Sequence, residues 1–171
     1  DGQRNDTTRF ELEGDECISW GNCNADLTED AEIEANYRRW SDPDSWTLNG
    51  VQGEVPVADD EVVIQPTWNM LYDLEDSPVF KSIEINGRLT IENNGTDRII
   101  RSFLIFNRKG DLVVGTEAEP FTASMTFELH GERKDRDVYF HTKMFEGGNK
   151  VIANTGNMTM YGKPVDVKAT R

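Results

Sequence analysis

The residues of this chain best suited to chemistry are acidic. Asp59-Asp60-Glu61 form a run at the start of a strand-like segment, and Asp73, Glu75 and Asp76 follow at the next turn. Calcium takes six to eight oxygen ligands, and stacked turns could gather carboxylates from adjacent layers. Asp59, Asp60 and Glu61 are therefore the expected calcium ligands, although their spacing matches no EF-hand loop. Catalysis is harder to place. A glycosidase needs two carboxyl groups at a set separation across a sugar, and 32 Asp and Glu residues offer too many pairs to select one. His130 follows Phe127 and Leu129 in a strand-like pattern and should face outward, while His141 follows Tyr139-Phe140 in a charged stretch. Neither reads as a general base. The sequence contains no G-x-S-x-G, H-E-x-x-H, P-loop or dinucleotide fingerprint. No catalytic and no cofactor-binding residue is expected.

The remaining reactive positions concern processing. Cys17 and Cys23 are the two cysteines, and their separation suits a small disulfide loop. A disulfide implies an oxidising compartment. The sequons at Asn5, Asn94 and Asn157 agree with that and are candidate glycosylation sites. An extracellular location is the expectation, and a start at Asp1 reads as a piece of a longer protein. The net charge of −14 argues against nucleic acid and against unassisted capture of an acidic polysaccharide. No apolar run approaches the roughly 20 residues of a membrane helix, so a membrane would be reached only through the parent protein.

These residues must be positioned by strands. In Ser82–Glu92, Ile83, Ile85, Leu89 and Ile91 share one parity, while Ser82, Glu84, Arg88, Thr90 and Glu92 share the other. Period two means one buried and one wet face. Asn86-Gly87 would ordinarily signal a hairpin. That hairpin would pair Glu84 with Leu89 and Ile83 with Thr90, mixing apolar and polar residues on each face. The parity instead runs through Gly87, which predicts a bend and onward travel.

Apolar runs begin near Val62, Ile83, Phe103, Met125 and Val151. Intervals of about twenty residues are what a solenoid produces, each coil burying its apolar face on its neighbours. The first reading is therefore all-β, a right-handed parallel β-helix with a short N-terminal helix cap. Residues 26–37 supply that helix, with Asp26 or Thr28 as cap. Trp40 and Trp46 flank the turn Ser41–Asp44; they read as a cap on the core, with a sugar-stacking platform as the alternative. The alternative fold is an antiparallel β-sandwich, because a hairpin over Phe103–Gly115 would pair Ile105 with Leu112 and Phe103 with Val114 on one face.

The ordered string Trp40-Ser41-Asp42-Pro43, Ser45-Trp46, Val55-Pro56, Val62-Val63-Ile64, Ile83-x-Ile85-x-Gly87-x-Leu89, Gly110-x-Leu112, Gly115-Thr116, Pro120-Phe121, Leu129-x-Gly131 and Met160-x-Gly162 resembles the G-eight domain, named for its eight glycines. The version it resembles is that of fibrocystin and fibrocystin-like proteins and of cell-surface hyaluronidase and hyaluronan-binding relatives. The resemblance implies a domain over 40–171, strongest over 40–162, preceded by an extension over 1–39. It implies a non-catalytic interaction or structural module of a large secreted or single-pass membrane protein, in a setting of ciliary surfaces and cell-surface receptors, with a protein or carbohydrate ligand. A component of a hyaluronan-binding or hyaluronan-degrading ectodomain is the alternative. Ala58 stands where the family carries glycine, which questions the turn there.

Overall fold

The computed structural model describes residues 33–132 and 150–163. Twelve strands are distributed over three sheets among these residues. They are β1 (Tyr37–Arg39), β2 (Glu61–Ile64), β3 (Asn69–Tyr72), β4 (Asp76–Phe80), β5 (Ser82–Ile85), β6 (Arg88–Ile91), β7 (Arg98–Ser102), β8 (Leu104–Asn107), β9 (Asp111–Val114), β10 (Met125–Leu129), β11 (Val151–Asn154) and β12 (Asn157–Met160). The sheets have the orders β1-β3-β6-β9-β12, β10-β7-β4 and β11-β8-β5-β2. From β2 onward, successive strands visit the three sheets in rotation, and every ladder between named strands is parallel.

Parallel register turns the period-two pattern into columns. Val62, Ile83, Ile105 and Ile152 lie in one column. Met70, Leu89, Leu112 and Met158 form a second in the neighbouring sheet. Ile64, Ile83, Ile85, Leu89, Ile91, Ile105 and Leu112 are buried, and each such side chain contributes about 1.5–3 kcal/mol.

Asn86-Gly87 is a bend, as the unbroken parity requires. β5 and β6 on either side of it belong to different sheets, and Asn86 N–H donates to Ile64 O of the preceding layer (3.0 Å). A β-carbon on Gly87 would collide with the carbonyls of Gln65 and Trp68; one on Gly110 would collide with Gly87 O; one on Gly156 would collide with Gly110 O. These glycines form a column of their own, in which each backbone rests against the carbonyl of the layer before it.

Several expectations need correction. The 103–115 hairpin does not form: Ile105 pairs with Ile83 and Ile152 in one sheet, and Leu112 pairs with Leu89 and Met158 in another. The apolar run at Met125 starts a strand in the sheet of β7, out of line with those at Val62, Ile83 and Val151. Of the expected helix, only Ile33–Ala35 are helical among the described residues, and Tyr37 opens β1; residues 26–32 lie outside the description. Glu84 belongs by parity to the wet face, yet it is buried, with its carboxylate accepting from Asn86 Nδ2 (3.0 Å) and Arg108 Nη1 (3.2 Å).

Ile85→Ala is accordingly expected to cost about 2–5 kcal/mol. Glu84→Ala should cost about 1 kcal/mol, the net worth of its hydrogen bonds. Urea midpoints of the two variants check this; equal losses would contradict the column.

Candidate functional site

The most elaborate polar assembly lies where β3 and β6 end and β7 begins. Tyr72 and Ile91 are adjacent inward positions of β3 and β6, so the residues that follow them, Asp73 and Glu92, leave their strands at equivalent points. Arg39, from the end of β1, reaches both: Nε to Asp73 Oδ2 (3.0 Å) and Nη2 to Glu92 Oε1 (2.9 Å). Ser41 adds its N–H (2.9 Å) and hydroxyl (2.7 Å) to Asp73. Arg98, 2% exposed, approaches from inside. Its Nη1 donates to Asp73 O (2.7 Å) and its Nη2 to Glu92 Oε2 (2.6 Å) and Asn94 Oδ1 (3.0 Å).

Burial of the Asp73 carboxyl opposes its ionisation. The Ser41 donors and the Arg39 guanidinium outweigh this and hold it below its ordinary 3.8. Arg39 is raised in turn, first by its hydrogen bond to Asp73 and then by that to Glu92. Just inside, burial pushes the Tyr72 phenol up to about 12, and its hydroxyl donates to Ile99 O (2.7 Å).

The folded Asp73 carboxyl thus has a lower pKa than the unfolded one. Its stabilisation is complete above about pH 4 and is lost as pH falls through the folded value. Asp73→Asn should therefore be less stable than the native chain at neutral pH, and the two should converge towards pH 2. Urea titrations at both pH values check this.

The same interlocking recurs on the outer faces. Arg101 pairs with Asp76 on one side and Glu128 (3.1 Å) on the other, tying β4, β7 and β10. Arg88 of β6 pairs with Asp111 of β9 (3.3 Å), and Asn157 of β12 donates to Asp111 Oδ1 (2.9 Å). Lys81 pairs with Glu61.

The expected calcium ligands are not brought together as a set. Asp59 occupies the left-handed region (φ 67°), the Asp60 carboxylate accepts from Val57 N–H (2.8 Å), and Glu61 is held by Lys81. Asp73 and Asp76 are engaged by arginines elsewhere. Among the described residues no three His, Cys, Asp or Glu side chains converge as a metal-binding group. The same turn resolves the departure at Ala58. The residue of positive φ is Asp59, one place later, and aspartate tolerates that conformation better than alanine.

His130 is partly exposed, with Nε2 2.7 Å from Glu128 Oε1. Trp40 and Trp46 are buried in an aromatic cluster with Trp68, Tyr72 and Phe80. They close the core and present no stacking face. Arg38 covers Trp68 at 4.3 Å. Asn94 and Asn157 are exposed. Cys17, Cys23, Asn5 and His141 lie outside the described residues.

Sequence reasoning missed Arg98 and with it β7. Arg98, Ile100 and Ser102 face inward, and the polar ends of that triplet hide its parity. Ile99 and Arg101 mix the outward face in the same way, so the residue pattern carries no period-two signal there.

No solved structure matches the chain. Fibrocystin-L of Mus musculus is 24% identical over 129 residues, covering 75% of this chain and 3% of that relative's length. The chain thus spans a small fraction of the curated relative it matches. The G8 domain model matches residues 45–171, and the chain belongs to the G8 domain family.

Proposed function

We propose that this domain is a right-handed parallel β-helix acting as a non-catalytic interaction and spacer module in the ectodomain of a large secreted or single-pass membrane protein, as in fibrocystin-like proteins. The observation that carries the reading is how the outer charges are used. Arg39, Arg88 and Arg101 each bind carboxylates contributed by neighbouring layers. Their charge is spent on holding layers in register, where it is worth little individually and more as a network. Rotation of the strands through three sheets supports the coil, and right-handed crossovers are the general rule for parallel connections. Similarity to a relative of which the chain spans 3% supports a module of a much larger protein.

The test is incubation of the purified chain with labelled hyaluronan, with and without millimolar calcium, followed by size analysis. Hyaluronan of unchanged length is expected, and the net charge of −14 opposes its capture. Shortening of the polymer would overturn the non-catalytic reading in favour of a hyaluronan-degrading component.

A further inference from the structure

We propose that Asn94 carries an N-linked glycan, so that the corner between β6 and β7 is a sugar-covered face of the domain; the inference rests on the ectodomain reading. Asn94-Gly95-Thr96 occupies the loop between these strands, and Asn93, Asn94 and Gly95 are exposed. Gly95 has φ +86° and open space around it, with nothing within 4 Å of where a β-carbon would lie. Room therefore exists for a large adduct beside the asparagine.

The loop is held firmly while the acceptor atom stays available. Asn93 Oδ1 accepts from Thr122 N–H (2.9 Å) and hydroxyl (3.0 Å), and its Nδ2 donates to Pro120 O (3.1 Å). Asn94 Oδ1 accepts from Thr96 N–H (3.1 Å), closing an Asx turn, and from the buried Arg98 Nη2 (3.0 Å). Asn94 Nδ2 donates one hydrogen to Glu92 Oε2 (3.0 Å). An amide nitrogen has two hydrogens, and glycosylation removes only one. The Glu92 bond and both bonds to Oδ1 can therefore survive the modification, and the fold tolerates it.

The chemistry is a transfer from a lipid-pyrophosphate-linked oligosaccharide, made in the secretory pathway while the chain is still unfolded. The Nδ2–C1 bond forms, the C1–O bond to the pyrophosphate breaks, and the amide proton leaves with the pyrophosphate. Nothing is oxidised or reduced. Asn157 offers a contrasting setting, within β12 rather than in a loop. Its Nδ2 donates to Asp111 across the sheet (2.9 Å), and its carbonyl accepts from the buried Asn107 (2.6 Å).

The experiment expresses the full chain behind a secretory leader in mammalian cells. Site occupancy is mapped by peptide mass spectrometry after enzymatic deglycosylation, on luminal and secreted chains alike. Asn94 is expected to be occupied. Thr96→Ala should abolish that signal and one step of the gel shift, Thr96→Ser should retain them, and both variants should melt with the deglycosylated native chain. Luminal chains unmodified at Asn94 would overturn the proposal, including the case in which Asn157 alone is occupied. A chain occupied at Asn94 but retained and degraded would count against the ectodomain reading and leave this site standing.

Discussion

Gly110→Ala is expected to destabilise the domain by about 3 kcal/mol or more, at or above the upper end for overpacking. The clash is with backbone. A β-carbon on Gly110 would meet the carbonyl oxygen and carbon of Gly87 and the Ile85 side chain, all at or within about 3 Å. A flexible side chain can turn aside, but the Gly87 carbonyl already accepts from Asp111 N–H (2.9 Å). Moving it breaks the ladder between consecutive layers. Gly87 is confined in the same way by Gln65 and Trp68, and Gly156 by Gly110, so relief cannot pass along the column. Gly162→Ala is the control. It has nothing within 4 Å and should stay within about 0.5 kcal/mol of the native chain. Urea midpoints at constant m report both.

The second large effect is at Arg98. Arg98→Ala should cost about 3 kcal/mol, near the lower end for breaking a buried ion pair, because Glu92 is partly exposed and keeps Arg39 as partner. The loss has two further sources. The Asp73 carbonyl loses a donor, and the Asn94 loop loses its tie to the interior. Removing the outer partner, by Arg39→Ala, should cost much less, since that guanidinium is solvent-exposed and its pairs are screened by water. A double-mutant cycle of Arg98 and Glu92 measures the coupling. Equal losses at Arg39 and Arg98 would contradict the assignment of Arg98 as the interior anchor.

What could be read in the sequence follows from where each strand puts its polar residues. β2, β5, β6 and β9 face a wholly apolar interior, so Val62, Ile83, Leu89 and Leu112 announce themselves by parity. β4 and β7 do not. β4 contains Pro78 and lies at a sheet edge, where the missing N–H is tolerated. β7 turns Arg98 and Ser102 inward. The strands of the third sheet are therefore harder to read than those of the other two. The column Ile64, Ile85, Asn107, Asn154 shows the same limit. It changes from aliphatic to amide midway, and Asn107 is fully buried through bonds to Asn154 Oδ1 (2.7 Å) and Asn157 O (2.6 Å). Asparagine at a strand end reads as a turn signal, so its inward position was not legible. The polar corner was hidden for a different reason. Arg39, Asp73, Glu92 and Arg98 are scattered through the sequence, and only parallel stacking brings them together.

The fold depends on parallel stacking of one layer on the next, and inter-strand nuclear Overhauser contacts test that stacking most directly. Backbone contacts should link Leu89 with Leu112 and Leu112 with Met158, and Ile83 with Ile105 and Ile105 with Ile152. Strong contacts between the α-hydrogens of Ile105 and Leu112, the mark of closely paired antiparallel strands, would contradict it.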